Sequence, residues 1–189
     1  MKLKDALFYT IKPESLKKTW EKFSSEIGGV FKFNESIRAN VNGPIYAYEI
    51  TANLEDFDLK VKQTVYINPG GNDKPTPLSY CLSRKTNQKI TFRIWKRDFL
   101  ERIFGLNKMN SGIAEKYSLK TNHRKLEQLI GTDVNLREIL TSSKNHFHIV
   151  TKNQILEIVL KRAGISYSVE DFSADIEILK QIKKEIASL

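Results

Sequence analysis

Hydrophobic positions along this chain change period several times, and each change marks an element. Leu16, Trp20, Phe23 and Ile27 follow Pro13 at steps of four, three and four, the period of one helix face. Gly28-Gly29 closes the run with residues that enter the left-handed region without a Cβ clash. The spacing predicts a helix whose apolar stripe faces a core. Near the other end Phe172, Ile176, Leu179, Ile182, Ile186 and Leu189 keep the same period, while Glu177, Lys180 and Lys184 take the opposite side. The chain therefore closes on a second amphipathic helix.

Between the helices the period falls to two. Ile37 to Val41 and Ile45 to Thr51 flank Asn42-Gly43, a hairpin signal, and Pro44 places an edge or bulge at the start of the second strand. Lys60 to Ile67 sets Val61, Gln63, Val65 and Ile67 on one face against Lys60, Lys62, Thr64 and Tyr66 on the other. Pro69 to Pro77 reads as a loop. Leu78 to Leu82 and Lys89 to Trp95 predict a hairpin around Lys85-Thr86-Asn87-Gln88. A short helix is expected from Asp98 to Phe104, ending at Gly105, and a brief strand at Tyr117 and Leu119. Asn122 and Asp133 suit the N-caps of two short helices carrying Leu126, Leu129 and Ile130, then Leu136, Ile139 and Leu140. His146 to Val150 and Ile155 to Leu160 make a last hairpin across Thr151-Lys152-Asn153-Gln154. Hairpins dominate, so the expected class is α+β: a mostly antiparallel sheet with helices packed on it.

Length and composition narrow this picture. A chain of 189 residues, 40% hydrophobic and 28% charged, suits a single globular domain over residues 1–189, with its best internal boundary at residues 105–112. Cys81 is the sole cysteine, so no internal disulfide forms and a reducing, cytoplasmic compartment is expected. The first residues carry Asp5 and too short an apolar run for a signal peptide, and runs such as Ile155 to Leu160 fall far short of a membrane span. Peripheral contact with a membrane stays open.

Charge changes the picture most. Residues 60–125 hold 15 Lys and Arg against Asp73, Asp98, Glu101 and Glu115, whereas the rest of the chain has 16 basic and 18 acidic residues. The middle third thus supplies more than the whole net charge of +9, which points to an anionic partner: nucleic acid, an acidic protein or lipid head groups. In Lys89 to Trp95, Ile90, Phe92 and Ile94 alternate with Lys89, Thr91, Arg93 and Trp95. Were this strand beside that of Lys60, one face would interleave cations with Tyr66 and Trp95, neutralising phosphates and stacking on unpaired bases. The candidate binding residues are Lys60, Lys62, Tyr66, Lys89, Arg93, Trp95, Lys96 and Arg97. The competing expectation is a helix covering that face, with Tyr66 and Trp95 packed beneath it.

Other chemistry is thinner. His146 and His148 share a strand face, but a metal needs three or four ligands, and His123 and Cys81 have no ligand-like spacing. Cys81 lies in an apolar strand, where a buried, inert thiol is the default. Asp58-Leu59-Lys60, with Glu49, Glu21 and Glu26, spells the acids and lysine of a Mg²⁺-dependent nuclease or phosphodiesterase, provided Glu49 and Asp58 converge near Lys60. No P-loop, G-x-G-x-x-G, G-x-S-x-G or H-E-x-x-H is present, so no catalytic residue, cofactor or metal is assigned.

In layout the chain resembles a diffuse group of prokaryotic α+β proteins of unknown function, some of them membrane-attached. The resemblance rests on the Trp20 helix ending in Gly28-Gly29 before Phe31, strands around Val65 and Ile90, the segment Ile113-Ala114-Glu115-Lys116-Tyr117-Ser118-Leu119, and the helix, hairpin and helix that follow. Similar sequences place Phe-Asp where this one has Ile113-Ala114. The resemblance implies no activity. The sequence thus supports a non-catalytic binding module, with a nuclease or an accessory domain of a membrane assembly as alternatives.

Overall fold

The computed structural model describes residues 11–37, 43–68, 73–96, 117–124, 127–128, 132 and 145–187. The fold is α+β. Among the described residues a nine-stranded sheet runs in the order β1-β2-β3-β5-β9-β8-β6-β7, with β4 beside the end of β3, and each of these pairings is antiparallel. The strands are β1 (Val30–Ile37), β2 (Pro44–Leu54), β3 (Phe57–Tyr66), β4 (Lys74–Pro75), β5 (Leu78–Lys85), β6 (Thr91–Lys96), β7 (Tyr117–Thr121), β8 (Asn145–Lys152) and β9 (Ile155–Arg162). Helices α1 (Pro13–Glu26) and α2 (Val169–Ala187) pack on one face of this sheet.

Helix α1 starts at Pro13, whose missing N–H costs nothing in a first turn. It stops in a Schellman arrangement: Gly28 N–H donates to Ser25 O at 3.3 Å and Gly29 N–H to Ser24 O at 2.8 Å, with Gly28 at φ +64°. Leu16, Trp20 and Phe23 are fully buried. Trp20 lies 5.5 Å from Tyr48 of β2 and 5.2 Å from Phe172 of α2, so one ring joins both helices to the sheet. On α2 the predicted stripe of Phe172, Ile176, Leu179, Ile182 and Ile186 is buried; Leu189 lies outside the described residues.

Two tight turns set the register of the central strands. The β2–β3 turn is Glu55-Asp56, with Glu55 at φ +59°, held by Lys183 of α2 against the Leu54 carbonyl at 3.3 Å and both turn carboxylates. The β8–β9 turn is Asn153-Gln154, both at positive φ, the signature of a type I′ hairpin.

Several expectations need correction. Strand β1 spans Val30–Ile37, so the strand begins earlier than expected; residues 38–42, and with them the rest of the expected strand at Ile37 to Val41, lie outside the described residues. Pro44 opens β2, an interior strand, at a position where a missing N–H is tolerated. Strands β5 and β6 do not form a hairpin, because β9 and β8 stand between them. The segment joining them crosses the tip of the β8–β9 hairpin: Thr86 N–H donates to Gln154 O, and Thr151 N–H donates to Ile90 O. Asn122 serves this crossing instead of a helix cap, accepting from Thr91 N–H at 2.8 Å and donating to Lys89 O at 2.7 Å. The Pro69–Pro77 loop contains β4, and its Asp73 carboxylate accepts from Ile11 N–H and Asn68 N–H. The expected helix at Asp98 to Phe104, the boundary at 105–112 and the apolar positions from Leu126 to Leu140 lie outside the described residues.

Candidate functional site

Strand alternation gives the sheet one face covered by α1 and α2 and a second, polar face that no described helix covers. On β3, Phe57, Leu59, Val61, Gln63 and Val65 are buried toward the helices. Asp58, Lys60, Lys62, Thr64 and Tyr66 therefore lie on the far face. Antiparallel register carries this division across the sheet and defines two adjacent rows. One reads Val30, Thr51, Lys60, Cys81, Val159, His148, Arg93, Lys120; the other reads Lys32, Glu49, Lys62, Ser79, Lys161, His146. Lys32, Lys62, Arg93, Lys120, His146 and Lys161 on these rows are exposed, and the remaining cation, Lys60, is partly so. No described helix lies on this face.

Electrostatics divides the cations into two kinds. Lys60 bonds Glu49 at 2.9 Å. Among the described residues no carboxylate lies within the 4.0 Å ion-pair limit of Lys62, Lys120 or Lys161. Lys62 and Lys161 stand on the same row with only Ser79 between them, about 10 Å apart by two strand spacings.

At the β6–β8–β9 end the face hollows into a concavity of ≈ 440 Å³, lined among the described residues by Thr91, Arg93, His146, His148, Val150 and Lys161 together with Phe92, Phe147 and Ile149. Burial pushes the His148 imidazole below its usual range, and Lys161 and Arg93 push it further. Burial and Glu157 push the Cys81 thiol up, against Lys62 and Lys60, so this half-buried group on the polar face is a poor nucleophile.

The predicted residues are partly brought together. Lys60, Lys62 and Tyr66 share the polar face of β3, and Arg93 shares the same sheet face. The strands of Lys60 and Lys89 are not neighbours: four strand spacings, about 19 Å, separate β3 from β6, and exposed Lys89 precedes β6. Trp95 and Lys96 end β6 opposite Ser118 and Tyr117. Arg97 lies outside the described residues. Glu49 and Asp58 do not converge. Glu49 stands opposite Lys62, and Asp58 lies four residues along β3, about 13 Å away. Glu21 and Glu26 belong to α1, across the sheet. Among the described residues no three His, Cys, Asp or Glu side chains group as metal ligands, and no helix is long and apolar enough to cross a membrane.

Lys32, Lys161 and the histidine pair were not among the predicted binding residues. Lys161 and Lys32 lie outside the charge-rich third, yet the alternation Glu157, Val159, Lys161 against Leu156, Ile158, Leu160 already sorts that strand into two faces. No protein family, curated protein or solved structure matches this chain.

Proposed function

We propose that this chain is a non-catalytic binding module that holds single-stranded nucleic acid across the polar face of its sheet. The observation that carries the proposal is the cross-strand row joining Lys62, Ser79, Lys161 and His146. Cations at strand spacings neutralise successive phosphates, hydroxyls such as Ser79 and Thr91 add donors, and flat rings accept unpaired bases. The imidazoles of His146 and His148 and the ring of Tyr66 supply such surfaces.

Two comparisons favour nucleic acid over the other anionic partners. A protein interface needs apolar anchors at its centre, and the central apolar residue here, Val159, is 7% exposed. A membrane-binding surface gains from inserting apolar side chains, and the exposed Val30 and Ile155 stand singly at different corners of the face. A nuclease reading has less support, since Glu49 is engaged by Lys60 and Asp58 lies far along the strand.

Fluorescence anisotropy with a labelled single-stranded oligonucleotide tests the proposal. With about six phosphate contacts on a single strand, affinity drops by about 2.5 orders of magnitude between 50 and 200 mM salt. Affinity that ignores salt, or binding to polyglutamate or phosphatidylserine vesicles with none to the oligonucleotide, overturns it.

A further inference from the structure

Two register pairs, Arg93 with His148 and His146 with Lys161, set four basic side chains around one concavity of ≈ 440 Å³. Lys161 and Arg93 both disfavour the protonated form of His148 while no anion is present. The hollow far exceeds one water, whose share of liquid volume is about 30 Å³, and its lining offers N–H and hydroxyl donors from Lys161, Arg93, both imidazoles and Thr91.

The surroundings of His148 are specific. Strand β6 presents Thr91 and Arg93, β9 presents Glu157, Val159 and Lys161, and β8 itself presents His146 and Val150. Glu157 is the one carboxylate among these, displaced by one side-chain repeat toward Val150. Lys120 on β7 lies beyond Arg93, and Cys81 on β5 lies beyond Val159.

We propose that this concavity is a seat for a phosphate group of the bound strand, and that filling it draws a proton from solvent onto His148. The inference rests on the nucleic-acid reading above and names the group held and its response to pH. In the empty seat, burial and the neighbouring cations keep His148 neutral, with one ring N–H to donate. A phosphate at the centre reverses the local field. The imidazolium is then favoured, and both ring nitrogens donate. Between the titration of the empty and of the filled seat, binding takes up a proton, so affinity falls as pH rises, approaching tenfold per pH unit for one proton.

The test follows the imidazole NMR signals of the full chain across pH, free and with a short single-stranded oligonucleotide, with inorganic phosphate in a parallel arm. The titration midpoint of His148 moves up with oligonucleotide, and affinity weakens about tenfold or more from pH 6 to pH 8. His146→Gln/His148→Gln flattens that pH profile. Lys161→Gln weakens binding several-fold and moves the pH dependence upward by removing a cation that holds His148 down, and Lys184→Gln on α2 behaves as the native chain. Oligonucleotide binding that leaves the His148 midpoint unmoved overturns the seat and spares the nucleic-acid reading. Inorganic phosphate that moves it, with no oligonucleotide affinity at any pH, supports the seat and overturns that reading. The midpoint comparison needs no variant, so a misfolded double substitution does not remove the test.

Discussion

Glu49 reaches Lys60 at 2.9 Å although the residue directly opposite it on β3 is Lys62. This diagonal pairing leaves Lys62 with no carboxylate partner among the described residues and lowers the effective charge of Lys60. The two lysines, adjacent on one strand face, are therefore not equivalent toward an anion. Lys62→Gln is expected to cost about fivefold in oligonucleotide affinity, near 1 kcal/mol, and Lys60→Gln distinctly less. Glu49→Gln releases Lys60 and tightens binding. Anisotropy at low salt reads all three. Because the pair is partly exposed, Glu49→Gln changes unfolding free energy by less than about 1 kcal/mol. Equal losses for the two lysines would show that the pairing does not govern the face.

Much of the fold was legible because its signals are local. Leu16, Trp20 and Phe23 declared a buried helix face, and Val61, Gln63 and Val65 declared a strand with one buried side. Strand neighbours were not legible. The segments Leu78 to Leu82 and Lys89 to Trp95 have the alternation and turn of a hairpin, yet a hairpin from sixty residues downstream stands between them. Nothing near Lys85 to Gln88 signals that insertion, which is a matter of long-range apolar pairing such as Leu82 with Ile158. The site suffered for the same reason. Lys62 was identified from its own strand, whereas Lys161, which completes its row, belongs to a strand brought alongside only by folding.

Trp20 is buried among Phe31, Tyr48 and Phe172, yet its indole N–H has no hydrogen-bond partner among the described residues. An unsatisfied buried donor offsets part of what the ring contributes. Trp20→Ala is expected to cost about 3–5 kcal/mol by opening a cavity at the junction of both helices and the sheet. Trp20→Phe removes the orphan donor with the smaller loss of volume, so about 1–2 kcal/mol is expected. Urea unfolding of the two variants checks the ordering; a Phe variant as unstable as the Ala variant would mean that the indole nitrogen is satisfied in solution.

The two glycines after α1 fail differently when substituted. At Gly28 a Cβ meets nothing within 4 Å, but the backbone sits at φ +64°, so Gly28→Ala carries only the left-handed penalty of about 1–2 kcal/mol. At Gly29 a Cβ would lie 3.0 Å from the Thr51 carbonyl oxygen, 3.1 Å from Ile50 Cγ2 and 3.2 Å from Ala52 Cβ. Relief requires moving β2 relative to the helix terminus, so Gly29→Ala is expected to cost about 1–3 kcal/mol and to disturb β2. Gly28→Asn should recover much of the loss at that position, because Asn tolerates the left-handed region; Gly29→Asn should not. Amide chemical shifts along β2 separate the two mechanisms.

Lys183 fastens α2 to the β2–β3 turn through Leu54 O, Glu55 and Asp56, with its ammonium 5.4 Å from the Phe57 ring centre. Burial alone would lower its pKa, but the bonds from Glu55 and Asp56 prevail and raise it. The bond from Lys183, assisted by Arg84, holds Asp56 below its usual range. The signs then set the window. A raised lysine contributes fully below its unfolded value of 10.5 and loses that contribution as pH rises through the folded value. A depressed carboxyl contributes above its unfolded value of 3.8 and loses that contribution as pH falls through the folded one. Lys183→Met keeps the stem against Phe57 and removes the bonds, at an expected cost of about 1–2 kcal/mol at neutral pH. Urea midpoints of native chain and variant, followed downward in pH, should stay separated by a constant amount to about pH 4 and converge below it. A gap that persists undiminished at pH 2 would assign the stabilisation to the Leu54 carbonyl and the ring of Phe57 rather than to the carboxylates.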